Sequence, residues 1–524
     1  MPAGEMSPTR YRFGPLERRG LVAGWRGGQI AAVAVGLVVA VGVLRASASP
    51  AGVVMALAAV AVGVGVATWP IVGRTAEEWA PDALRHALRR RPRPWRSGPF
   101  AGVDLIAVDV GVSTAGVLWD RARRTYTAVL AASAPGFVLL GDDDKARRVG
   151  AWAGVLASLA RDGSAVHRVQ WIERTRPLVP APVPGGAGAG PHGAALSAPG
   201  AAPVGGSAPT ASMTAGVASS NGAGVRAASG LDADAAARAS YEALLAAADY
   251  GARRHEVLLA VTVHGGRGAR AVRAAGGGTA GACTVLLREV AALRRRLADA
   301  SVDAGTVLAP AELSATVRAA FAPGGAAAPA EDGDRVATVP SASPEEGASA
   351  SPATWPWPMG IAAEWGRLRA DATWHATFWV SEWPRIDVGP DFLGPLVLSS
   401  DVRRAVSVVM EPLGPIAAAR KVEQARTADI ADAELRRRGG FLATARRRRE
   451  EELLARRELE LADGHAQYRF AGYVTVSAPD PDALEEACGR IEQSAGRAGL
   501  ELRRCYGDQA NAFTCALPLG RGLP

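Results

Sequence analysis

The stretch Tyr468–Tyr506, YRFAGYVTVSAPDPDALEEACGRIEQSAGRAGLELRRCY, decides the fold class. It begins with strict alternation. Tyr468, Phe470, Gly472, Val474 and Val476 fall on one side of an extended chain, which predicts a half-buried strand. Asp480 then offers a capping carboxylate, with Pro481 at the first helical position. Leu484, Cys488, Ile491, Ala495 and Ala498 recur at helical spacing, and Gly499 closes the helix. Leu500–Tyr506 returns as a strand. This strand–helix–strand order predicts an α+β protein with ferredoxin-like sheets.

Outward from this segment, Trp374–Glu382 and Ala405–Met410 read as strands. Between them and Tyr468 runs Ile416–Asp463, a charged helical arm broken at Gly439-Gly440. Such a run of alternating charge is expected to be a solvated arm, not a nucleic-acid site. Residues 355–524 form one expected α+β domain on these grounds. Residues 99–177 form another, with strands at Asp104–Val108, Ala115–Trp119, Thr125–Ala132 and Val166–Ile172. Asp142–Asp144 are placed to cap a helix there, whose stripe is Val149, Trp152, Leu156 and Leu159. Residues 232–321 give a third α+β segment: a helix over Asp232–Tyr250, a strand over His255–Val263, and helices over Cys283–Leu297 and Ala311–Phe321. The glycines Gly276–Gly278 read as a surface loop. Residues 178–231 and 322–354 are rich in Ala, Gly, Pro and Ser. They carry too little apolar surface to offset chain entropy and are expected to be disordered linkers.

The N-terminal 98 residues differ in kind. Ile30–Leu44 carries no charge, nor does Ala46–Gly73. Spans are expected at about residues 27–44 and 51–72, because a crossing needs roughly 20 apolar residues. Residues 1–100 hold 13 arginines against 5 acidic residues, which accounts for the whole net charge of +8. The arginines flank the apolar runs: Arg18, Arg19 and Arg26 before the first, and Arg74, Arg89, Arg90, Arg91, Arg93 and Arg96 after the second. Only Arg45 lies between. This pattern predicts a two-span transmembrane hairpin in the plasma membrane with both termini cytoplasmic. Trp69 and these arginines are the expected contacts with anionic lipid headgroups.

Composition excludes several chemistries. The four cysteines form no C-x-x-C pair, so neither a disulfide scaffold nor a zinc ribbon is expected. The two lysines, Lys145 and Lys421, stand outside any G-x-x-x-x-G-K-[ST], so no phosphate-cradling loop is present in the sequence. His255-Glu256 begins an H-E-x-x-H pattern that lacks its second histidine. No catalytic residue, cofactor or metal site is expected.

Four segments carry a resemblance. VSVVMEPLGP (406–415), the arginine/glutamate arm, FAGYVTVSAPD (470–480) and LRRCYGDQANAFTCALPLG (502–520) are similar to the N-terminal domain of VirB-type conjugation and type IV secretion ATPases. A motor domain follows the ALPLG-like phrase in that family, and none is expected in this chain. The start YRFGPLERRGLVAGWRGGQ (11–29) and the hairpin resemble the PrgI-like membrane subunit of the same machines, in their actinobacterial form. The resemblance implies a non-enzymatic scaffold that docks a separate ATPase and other membrane subunits. It leaves room for a homo-oligomer, and no direct nucleic-acid contact is expected. Trp374, Trp379, Trp383, Phe513, Leu517, Pro518 and Leu519 are the expected docking residues. Two alternatives stand beside this one. A type VII secretion core component also pairs a hairpin with an α+β domain. A membrane-anchored enzyme or ligand sensor would centre on His375, Trp374 and Trp379.

Overall fold

The computed structural model describes residues 27–47, 49–68, 79, 83–84, 86–87, 93–94, 99–111, 113–133, 140–177, 253–322, 357–398, 402–438 and 445–523. In chain order the elements are α1 (Gly27–Ala46), α2 (Pro50–Thr68), β1 (Arg93–Pro94), β2 (Val103–Val110), β3 (Ser113–Asp120), β4 (Thr125–Ser133), α3 (Asp142–Leu159) and β5 (Val166–Pro177). There follow β6 (Arg253–His264), α4 (Ala269–Ala274), α5 (Gly278–Asp299), β7 (Asp303–Val307), α6 (Pro310–Phe321), β8 (Gly360–Ala363), β9 (Leu368–Ala370), β10 (Thr373–Glu382) and α7 (Gly394–Val397). The last are β11 (Arg404–Leu413), α8 (Pro415–Arg438), α9 (Ala445–Ala462), β12 (Gln467–Ala478), α10 (Pro481–Arg497), β13 (Glu501–Arg504) and α11 (Gln509–Thr514). The expected helix at 232–250 and both expected linkers lie outside the described residues.

The thirteen strands among the described residues join one sheet, ordered β1-β8-β9-β10-β12-β11-β5-β6-β4-β3-β2, with β13 on β10 and β7 on β4. The boundaries 99–177, 232–321 and 355–524 therefore do not separate three sheets. β5, from the first of these segments, lies between β6 of the second and β11 of the third. It pairs antiparallel with β11 from Val169↔Met410 to Arg174↔Ala405.

Apart from the edge strand β1, the strand order reads the same from both ends. β2 matches β8, β3 matches β9, and β4, β5 and β6 match β10, β11 and β12. The branching strands obey the same match. β3 pairs with the start of β4 and β7 with its end; β9 pairs with the start of β10 and β13 with its end. Each half thus runs β-α-β-β-α-β: β4-α3-β5-β6-α5-β7, and β10-α7-β11-β12-α10-β13. Two halves of matching topology meet at the β5–β11 seam.

Alternation along the strands sends side chains to two cores. On one face α3, α4 and α5 cover Val117, Leu130, Val169 and Val261, and α10 covers Phe378, Val406, Val474 and Val476. On the other, α6, α11 and the segment after it close a core shared by both halves, which includes Val129, Ile172, Leu258, Phe321, Leu368 and Phe513. α10 follows the expected stripe, and the Asp480 carboxylate accepts from the Ala483 N–H at 2.8 Å. α3 is different. Its N-cap is Gly141 without a side-chain bond, and Asp142–Asp144 fill the first turn, where they complement the helix dipole. Gly276, Gly277 and Gly278 take φ of 99°, 74° and 59°, the left-handed turn that leads α4 into α5.

Candidate functional site

α1 and α2 are long and apolar enough to cross a membrane. At 1.5 Å per residue, helices of 20 and 19 residues span about 30 and 28 Å, the thickness of a hydrocarbon core. Small residues make their contact. A Cβ on Gly36 would stand 3.0 Å from the Ala59 carbonyl and 3.2 Å from the Gly63 Cα; one on Gly63 would meet the Ala32 carbonyl at 3.1 Å. Ala40, Ala56 and Ala67 are buried along the same line. Such small-residue packing is how apolar helices associate where no hydrophobic drive exists between them. The Gln29 Nε2 donates to the Ala67 carbonyl at 2.9 Å. The outer faces carry Val35, Val38, Val54, Leu57 and Val62, each more than 60 % exposed, an apolar surface suited to lipid and not to water. The two helices run Gly27–Ala46 and Pro50–Thr68, and residues 69–72 of the second expected span lie outside the described residues. Arg18, Arg19, Arg26, Trp69, Arg74, Arg89, Arg90, Arg91 and Arg96 lie outside the described residues. Arg93 sits in β1, whose backbone pairs with β8.

Beyond the hairpin the chain is strapped to the body. Trp79 stacks on Trp365 with centroids 5.5 Å apart and meets Tyr506 at 5.7 Å. His86 meets Trp365 edge-on at 5.3 Å. Arg504 anchors this corner. It donates to the Gly366 carbonyl at 2.6 Å and to both Glu485 oxygens at 2.7 and 2.8 Å. Those bonds hold the Glu485 carboxyl below its usual pKa range.

The C-terminal segment crosses the seam. Gln170 of β5 donates to the Cys515 carbonyl at 2.8 Å and accepts from the Gly520 N–H at 2.8 Å. Ser407 of β11 donates to the same Cys515 carbonyl at 2.8 Å. Arg521 donates twice to one Asp120 oxygen, at 2.6 and 3.0 Å, and both side chains are buried. Glu411 accepts from Arg168 and Arg267 at 2.9 and 2.6 Å. Burial alone raises a carboxyl pKa; here the two guanidinium bonds outweigh it, and Glu411 titrates below its usual range.

These positions correct the expected docking set. Phe513, Leu517 and Leu519 are 1 %, 0 % and 2 % exposed, and Pro518 is buried with them. They fill the shared core and present little surface. An apolar chain segment looks like a docking motif until it folds back over its own sheet. Trp374, Trp379 and Trp383 remain half-buried. Trp374 is sandwiched by Arg367 and Arg369, at 4.9 and 5.6 Å from its ring. Trp383 meets Phe470 at 5.3 Å and Phe392 at 6.5 Å. Phe470 is 43 %, Ile386 72 % and Leu398 52 % exposed. Trp383, Ile386 and Leu398 lie on the β10–β11 connection, where the first half carries α3 and the second only the four-residue α7, and Phe470 lies on β12.

His375, the centre of the ligand-sensor alternative, is fully buried. Its Nε2–H donates to the Phe321 carbonyl at 3.1 Å, which leaves Nδ1 to accept from the Ser477 hydroxyl at 2.8 Å. Burial pushes its pKa down to about 3, so the ring is a neutral core bridge. Among the described residues no group of three metal-ligating side chains comes together. A groove of about 740 Å³ opens elsewhere, at the base of the arm, between Ala157 and Arg161 of the α3 end and Leu413, Val422 and Leu461. No family model matches the chain, and no curated protein matches it.

Proposed function

We propose that this chain is a non-enzymatic, membrane-anchored scaffold of a conjugation or type IV secretion-like machine. On this reading α1 and α2 span the plasma membrane, the arginine-rich flanks remain on the cytoplasmic side, and the sheet lies in the cytosol. The flanking arginines rest against anionic headgroups. Each half is a ferredoxin-like unit, as the order β7-β4-β6-β5 and its counterpart β13-β10-β12-β11 support. The family resemblance of 406–415, 470–480 and 502–520 supports a separate ATPase as the docked partner.

One observation carries the docking role. The Trp383–Phe470–Ile386–Leu398 patch exposes large apolar side chains where the other half has a covering helix. Exposed clusters of this kind mark protein contacts more often than chance. The test is affinity capture of the full chain from its native membrane, with wild type beside Trp383→Ala and Phe470→Asp. Recovery of an ATPase with the wild type and its loss with both variants is the expected result. Equal recovery, or recovery of none, sinks the reading.

A further inference from the structure

The sheet ends in two unlike edges. At one end β8 is covered, because β1 pairs with it at Arg93↔Ile361 and Pro94↔Gly360. At the other end stands β2, the strand that matches β8. It has β3 on one side and no strand on the other among the described residues. β2 is 8 residues long against the 4 of its counterpart. An open edge of this length is a template for another strand.

The bonds of β3 show which groups of β2 stand open. Ala107 lies opposite Gly116. The Gly116 N–H donates away from β2, to the Leu308 carbonyl at 2.8 Å, so Ala107 and Gly116 exchange no bond. One pair beyond the end of the ladder, the Arg121 N–H donates to the Gly102 carbonyl at 2.8 Å. Bonded and non-bonded pairs alternate along an antiparallel ladder. Asp104, Ile106, Val108 and Val110 therefore bond to β3, whereas Leu105, Ala107 and Asp109 turn their N–H and C=O groups outward. None of these three has a backbone partner among the described residues. β2 also lacks the proline, lysine or bulge with which edges are commonly blunted. Its two acids are engaged within their own half. Asp104 pairs with Arg121 at 2.6 Å, and Asp109 accepts from the Thr114 hydroxyl at 3.4 Å.

We infer that the open edge of β2 pairs antiparallel with β2 of a second copy, about a two-fold axis at Ala107. Outward groups are satisfied only by outward groups, and this register uses all three on each strand. Ala107 meets its own copy, and Leu105 meets Asp109. Ile106 then faces Val108 in the closely spaced non-bonded pair, an apolar cross-strand contact. Both pack against the core beneath α5 in their own copy, and Val103 and Leu105 belong to the opposite face. Each core thus continues into the same core of the partner. Asp104 stands opposite Val110, which is 42 % exposed, so no acid opposes an acid. The one-residue slip that would set Asp104 against Asp109 also sets outward groups against inward ones. A basic extended segment, such as the one that covers β8, is the less suited occupant because both acids of β2 already have partners. The inference does not rest on the docking of an ATPase, which uses the surface around Trp383.

The test uses the full chain in detergent. Light scattering at micromolar concentration reads twice the protomer mass for the wild type. Ala107→Pro removes an outward N–H at the axis and leaves the bonds to β3, which Ala107 does not make, in place. Ala107→Asp sets like charges opposite each other at the same point. Each weakens association on the order of tenfold or more, with an unchanged far-UV spectrum. Mild oxidation of Ala107→Cys gives a covalent dimer, since the Cα atoms of a bonded pair stand about 5.5 Å apart. Asp109→Cys alone does not, since its copies stand about 14 Å apart along the ladder. Mixed with Leu105→Cys, it does. The inference is overturned if the wild type is monomeric, or if Ala107→Cys links no better than Asp109→Cys. Dimerisation of both Ala107→Pro and Ala107→Asp at wild-type strength overturns it as well, and would move the contact to another surface, such as the two apolar helices.

Discussion

The two halves of the sheet share a topology and differ in what is attached to it. In the first half the β4–β5 crossover carries α3, 18 residues long; in the second the same crossover is reduced to α7, 4 residues long. The first half leaves β2 at the sheet edge, whereas the second has β8 paired with β1 from the segment that follows α2. Between its second and third strands the first half holds residues 178–252, and the second holds the α8–α9 arm. The frame is repeated, and the differences lie in the connections. Connections are where folds accept new contacts without loss of the core. The second half accordingly bears the strap, the apolar patch and the arm.

The firmest challenge to this picture is to cut the halves apart. Arg521→Ala removes the guanidinium that ties the C-terminal segment to Asp120 of the first half and takes both bonds from one oxygen of a buried carboxylate. A loss of about 3–5 kcal/mol is expected, read as a lower denaturant midpoint of the full chain. Halves that fold independently would show no such loss in the first.

Acid loosens the same junction more gently. His375 belongs to the second half and donates to the Phe321 carbonyl of the first. Its pKa falls from 6.5 in the unfolded chain to about 3 when folded. A depressed group stabilises the fold fully above its unfolded pKa, and the stabilisation is lost as pH drops below about 6.5. Linkage gives a loss of about 2 kcal/mol at pH 5. His167, lowered to about 4 by burial and by Arg168, acts with the same sign. Thermal melts between pH 7 and 5 should show the decline, and His375→Gln should flatten part of it. A pH-independent midpoint in the wild type refutes the assignment.

The strap comes next in size. Trp365→Ala removes the partner of Trp79 and His86 and is expected to cost about 1 kcal/mol. Faster protease cleavage after the hairpin, with an unchanged melt of the body, is the signature. Smallest is Lys145→Ala, which breaks a 3.2 Å pair with Asp391 that joins α3 to the connection of the other half. Asp391 is half exposed, so less than about 1 kcal/mol is expected. A larger loss would mean that α3 braces both halves.

Much of this fold is legible from local pattern. Alternation gives β10 and β12, and the helical stripes give α5 and α10, because each is an element whose periodicity runs over many residues. β7, β8 and β9 have 5, 4 and 3 residues, too few for a period to declare itself. The seam is invisible for another reason. β5 and β11 each read as an ordinary strand, and nothing local says that they pair. The buried Arg168, Arg174, Arg404 and Arg521 likewise read as surface arginines until their carboxylate partners arrive from distant strands. Of the candidate docking residues, Trp383 is half-buried and the segment around Leu517 is buried, because apolar character alone does not separate a core from a contact.

The seam also sets a timetable. About 230 residues separate the end of β5 from the start of β11, so at roughly 5–20 residues per second a ribosome needs on the order of 10–50 s to supply the missing neighbour. Through that interval the backbone of one side of β5 waits unpaired, while α1 and α2 have already left the exit tunnel. The two apolar helices thus emerge early and the sheet closes late in the life of each nascent chain. Holdase binding to stalled chains that end before Arg404, and release once β11 has emerged, would record that delay.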